Sequence, residues 1–172
     1  CDATPGLLAA AQAAGVNTLQ GGLFPNPGDS FGPTDQAGVI AFASTYTYAA
    51  WQPAWDAFMQ PQIDHARDND MLLVLAGDDL YRNINEKAFL ENWPALPQAI
   101  THMATYLSAN DDVVCGIELM DEMLDSSVGP GYPIPPAEHW FYTNFMQPWR
   151  AVANATPLSS PGTPGVDENG LR

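Results

Sequence analysis

The run MLLVLA at residues 71–76 is apolar at every position and shows no alternation. A strand with one wet face alternates apolar and polar residues, whereas a parallel strand covered on both faces does not. The run therefore reads as a parallel strand buried on both faces. VVCGIELM (113–120) has the same character. VNTLQGGLF (16–24) reads as a third strand, and the Gly21-Gly22 pair near its end predicts close approach of a ligand or another backbone.

Helical patterns stand between and around these strands. Thr4-Pro5 reads as an N-cap and first-turn proline, followed by Leu7, Leu8, Ala11 and Ala14 and closed by Gly15. Trp51, Trp55, Phe58, Met59, Ile63 and Ala66 follow helical spacing, with Pro61 expected to kink or split the helix. Leu96, Ile100, Met103, Ala104 and Leu107 mark another helix, and Phe141, Phe145, Trp149 and Val152 the last. Residues 25–48 read as a long functional loop ordered by Phe31, Phe42, Tyr46 and Tyr48, and 77–85 as a polar loop. From Thr156 the Pro/Gly/Ser-rich sequence reads as a tail or linker, which leaves residues 1–155 as the domain.

Alternating helix and strand means βαβ units and a parallel sheet, an α/β fold. Strands starting near 17, 71 and 113 recur every 48 or so residues, so eight units would need roughly 400 residues, against a usual ~250. A chain of 172 residues is then a piece of a barrel or a small open α/β sheet. A piece of a barrel should expose the unpaired edges of its first and last strands, and should self-associate or meet a complementary half.

Twenty acidic residues against five cationic ones give a net charge of −15, which disfavours nucleic acid and anionic lipid as partners. No apolar run reaches the ~18–20 residues of a membrane helix, so no membrane insertion is expected. The stretch carries no signal-peptide pattern. Two cysteines are too few for a disulfide framework, and Cys115 reads as a buried thiol. Cys1 reads either as the lipid-bearing first residue of a mature lipoprotein or as a cut end. No phosphate-cradling glycine loop, Ser/His/Asp arrangement or Cys–His metal spacing is seen, so no cofactor is expected.

The chemistry concentrates where VVCGIELM runs into Asp121-Glu122. Ligands bind at the carboxyl ends of parallel strands, where the loops converge. Glu118, Met120 and Glu122 share one parity. A carboxyl group beside apolar walls has a raised pKa and can hold a proton for a leaving group. Glu118 itself, in a buried strand, needs a partner: an arginine or a substrate serves equally. Asp78, Asp79, Tyr81 and Arg82 occupy the neighbouring strand-end loop, and His139 opens the last helix. His65 and His102 read as surface residues of helices. Trp51, Tyr81 and Trp140 are candidate sugar-stacking platforms.

GIELMDEM (116–123) resembles the fourth-strand signature of clan A glycoside hydrolases, in particular the cellulase–mannanase family: a buried strand, an acidic residue, two apolar positions, then Asn-Glu. IDHARDNDMLLVLAGDD (63–79) resembles that family's third helix and third strand, and AAGVNTLQ (13–20) the entry to its second strand. The resemblance implies a (β/α)8 TIM barrel of which this chain holds about half, and a β-linked polysaccharide or oligosaccharide as substrate. It implies Glu122 as acid/base, Asp121 in place of the Asn that contacts the sugar, and a nucleophilic Glu on a later strand outside this chain. Asp79, Tyr81, His139 and Trp140 are the further substrate-binding candidates, with no metal. A secreted or cell-surface location follows. Met123 replaces the family's usual Pro, and Asp121 is acceptor-only where the family has an amide. Two other readings stand beside it. One is a non-catalytic carbohydrate- or protein-binding module. The other is a metal-assisted hydrolase using Asp78, Asp79, Asp121 and Glu122, oxygen ligands that suit Ca²⁺ or Mg²⁺.

Overall fold

The computed structural model describes residues 5–24, 35–77, 84–118, 140, 142–153 and 158–159. Helix α1 (Pro5–Ala13) ends where Gly15 takes φ +84°, and Val16 N–H bonds Ala11 O at 2.9 Å. This is the left-handed glycine stop that the sequence predicts. Strand β1 (Thr18–Gly22) follows. Helix α2 (Gln36–Thr45) is capped by the Asp35 carboxylate, which accepts from Gly38 N–H at 2.8 Å. Helix α3 (Tyr48–Asp68) is capped by Thr47. Then come β2 (Leu72–Ala76), α4 (Ile84–Asn92), α5 (Leu96–Ser108) and β3 (Val114–Glu118). A π-helical turn (Tyr142–Met146) leads into α6 (Gln147–Val152), and β4 (Leu158–Ser159) closes the order. Strand β4 lies within the stretch read as a tail.

The molecule is α/β. The four strands among the described residues are all parallel and stand in the order β1-β2-β3-β4. One hydrophobic core joins the sheet to the helices. Leu73, Leu75, Val114 and Ile117 meet Trp55, Met59 and Ile63 of α3, Ile100, Met103 and Leu107 of α5, and Phe145 and Trp149 beyond β3. A second layer of rings ties α2 and α4 to α3: Phe42 stacks on Tyr46 at 4.9 Å, Trp93 lies 5.2 Å from Phe89, and Trp51 meets Trp93 edge-on at 5.6 Å.

Several expectations are corrected. Helix α3 runs unbroken through Pro53 and Pro61. Both prolines stand at exposed positions, so each costs one backbone bond while the apolar stripe stays seated. The long loop expected over 25–48 contains α2, whose only buried residues are Val39 and Ala43. Trp51 is a core residue, 5% exposed and stacked on Trp55, and cannot serve as a sugar platform. The 71–76 run is not covered on both faces. Leu73 and Leu75 are buried, whereas Leu72 is 38% exposed and Val74 half-buried. The helices of the shared core pack on one face of the sheet, and Leu72, Val74 and Gly116 belong to the other.

The thiol of Cys115 is also less enclosed than its apolar run suggests. Leu73 pairs with Val114 and Val74 with Gly116, so Cys115 is the extra residue of a bulge. It is a free, half-buried cysteine whose Sγ reaches Leu73 O at 3.6 Å.

Entry into β3 is fixed by a surface clasp. The Arg67 guanidinium makes two 3.0 Å bonds to the Asp112 carboxylate and one to Asn110 Oδ1. The Arg67 hydrogen bond holds the Asp112 carboxyl below the usual carboxylate range. A carboxyl depressed in the folded state contributes stability above its unfolded pKa, near 3.9, and that contribution is lost as pH falls through the folded value. Asp112→Asn should therefore lower stability slightly at neutral pH, and the difference from the wild type should close as pH falls below about 4. The difference should be small because both side chains are largely in water. Urea midpoints of both proteins across that range test it, and parallel acid limbs would refute it.

Candidate functional site

In a parallel α/β sheet the site forms at the carboxyl ends of the strands. Here those ends are level. Gly22 pairs with Ala76, and Ala76 with Glu118, so β1, β2 and β3 finish along one rim. Ser159 of β4 pairs with Glu118 and extends that rim. Gly77, the last described residue before the Asp78-Asp79 pair, is buried. Of the residues singled out for chemistry, Asp78, Asp79, Tyr81, Asp121, Glu122 and His139 lie outside the described residues, as does the side chain of Glu118. Trp140 is half-buried and packs against the core. Its carbonyl accepts from Asn144 Nδ2 at 2.8 Å, which fastens it to the turn that precedes α6.

The close approach predicted at Gly21-Gly22 is made by side chains of α3 rather than by a ligand or another backbone. Leu23 N–H bonds Ala76 O and Leu72 N–H bonds Asn17 O. The odd-numbered residues of β1 therefore face β2, and the N–H and C=O of Gly22 face outward. Gln62 meets both: its Oε1 accepts from Gly22 N–H at 2.9 Å, and its Nε2 donates to Gly22 O at 3.1 Å. The same Nε2 donates to Phe58 O. A side-chain amide thus occupies the place of a neighbouring strand and closes this end of the edge, which was expected to stand unpaired. A methyl group on Gly21 would overlap Gln62 Oε1 and lie 3.0 Å from Leu73 Cδ1, so glycine is required there for space.

Two mutations test this arrangement. Gln62→Leu removes both bonds to Gly22 and should cost about 1–3 kcal/mol, with increased self-association through the opened edge. Gly21→Ala should cost a similar ~1–3 kcal/mol and open the same edge, because its methyl group displaces the Gln62 Oε1 that caps Gly22. Urea unfolding together with sedimentation velocity tests the pair. A monomeric, fully stable Gln62→Leu protein would remove the capping role.

A cleft of about 260 Å³ lies beside this cap, lined by Leu19, Gln20, Pro61, Gln62, His65 and Leu73 among others. His65 Nε2 is buried there without a hydrogen-bond partner among the described residues. The surface placement expected for His102 is also corrected. Its Nε2 lies 2.6 Å from Asp56 Oδ1, and its side chain is only 17% exposed. The rings of Tyr48, Trp51, Trp55 and Tyr106 surround it at centroid distances of 5.5–6.0 Å. Burial, and then the Asp56 charge, push the Tyr48 and Tyr106 phenols up. The pair joins α3 to α5.

Among the described residues His102 bonds no hydroxyl or thiol, so no nucleophile–base pair is formed there by them. Among the described residues no group of three or more His, Cys, Asp or Glu is placed to hold a metal ion. No helix among them is long and apolar enough to cross a membrane. Sequence patterning gave no sign of Gln62 or Asp56. Each stands beside a residue of the α3 apolar stripe, Ile63 and Trp55, and its partner is about 40 or more positions away.

Compared with models of protein families, with curated proteins and with solved structures, the chain matches none.

Proposed function

We propose that this chain is part of a (β/α)8 barrel glycoside hydrolase that acts on a β-linked polysaccharide, with Glu122 as its general acid/base. The observation that carries the reading is the one-sided winding of the sheet. A doubly wound sheet has helices on both faces and reverses strand order at a switch point. Here the strand order is sequential, and the core helices gather on one face. A barrel turns its other face inward. The register aligns Thr18 with Leu72, Gln20 with Val74, and Val74 with Gly116 on that face. These positions are uncharged and of mixed size, and the same register places Glu118 beside Ala76 on that face, at its carboxyl rim.

On this reading the levelled strand ends form one sector of the barrel mouth, and Glu122 follows the end of β3 by four residues. Glu122 gives its proton to the glycosidic oxygen as the bond breaks, then takes one from the attacking water. Asp121, Asp79, Tyr81, His139 and Trp140 contact the sugar. Hydrolysis needs a second carboxyl group, ~5–5.5 Å away for retention or ~6.5–9.5 Å for inversion. That group comes from polypeptide outside these 172 residues, so this stretch alone is inactive. No cofactor takes part, and a polymeric substrate sets the work outside the cell or on its surface.

The departure at Asp121 favours one second reading, a non-catalytic module that binds sugar through the same rim. The test is release of new reducing ends from soluble β-linked polysaccharides by the assembled protein. Release supports the hydrolase, binding without release supports the module, and neither outcome leaves a carbohydrate function standing if both are absent.

A further inference from the structure

We draw no further inference here: the strongest candidate, the sheet face of Leu72, Val74 and Gly116 opposite the helices, is an unpartnered face, and nothing in the structure shows what covers it.

Discussion

Replacing Trp55 by alanine should cost the fold about 3–5 kcal/mol, the range for a large aromatic removed from a packed core. The ring is 0% exposed. It stacks on Trp51 at 5.6 Å and meets Tyr106 and His102 edge-on at 5.3 and 5.5 Å. Its Nε1 donates to Leu23 O at 2.9 Å, which ties α3 to the residue that follows β1. Alanine therefore opens a cavity and leaves a buried carbonyl without its donor. Against a typical stability of about 5–15 kcal/mol, the loss is a large fraction of the total. A urea midpoint lower by about 2 M is the expected reading. Trp149 supplies a matched control. It too is 0% exposed, but its Nε1 has no partner among the described residues. Trp55→Phe should thus cost about 1–3 kcal/mol for the orphaned carbonyl, while Trp149→Phe loses no such bond. Equal costs for the two phenylalanine variants would refute the role of the Leu23 bond.

The contrast between these two tryptophans shows what patterning carries and what it does not. Helical spacing was enough to predict that Trp55, Met59, Ile63 and Ala66 share a stripe, and all four are 0% exposed. Such spacing carries no partner, so the Leu23 carbonyl stayed hidden. The sheet shows a related limit. Leu72 and Val74 are as apolar as Leu73 and Leu75, so a partly exposed face reads the same as a covered one. Helix α2 is not legible in the sequence because two buried residues, Val39 and Ala43, make too short a stripe to stand out among Gly, Ser and Thr. The glycine pair predicts close approach of a ligand or another backbone, and the groups that approach are side chains instead. Its occupant was not legible, because Gln62 is brought to Gly22 by the packing of α3. For the candidate site, the strand that leads to Glu122 was legible from its apolar run, and β3 lies inside the expected span.

The Gln62 cap also bears on how a complete barrel would close. Any strand that paired with β1 along its outer edge would need the N–H and C=O of Gly22, which Gln62 already holds. Such a strand must either stop short of Gly22 or displace the amide. The amide therefore closes the Gly22 end of the β1 edge to strand pairing.

Glu122→Gln in the assembled protein should lower turnover of a β-linked polysaccharide by about 10²–10⁴-fold, the usual contribution of a positioned general acid or base. The amide keeps the shape and hydrogen-bonding reach of the carboxyl group but has no proton to give at neutral pH. Two features distinguish this from simple damage. First, the loss should shrink on an aryl glycoside whose leaving group departs without protonation, because only the donated proton is missing in that step. Second, the limb of the pH–rate profile that reports the protonated acid should disappear, while the limb of the second carboxylate remains. Thermal unfolding should be unchanged. Asp121→Asn supplies the opposite control: it replaces an acceptor-only group with the amide that the resembled family carries, so turnover should persist. A Glu122→Gln protein that matches the wild type on polysaccharide, or that loses both substrates equally with an unchanged pH profile, would overturn the assignment of the proton transfer to this residue.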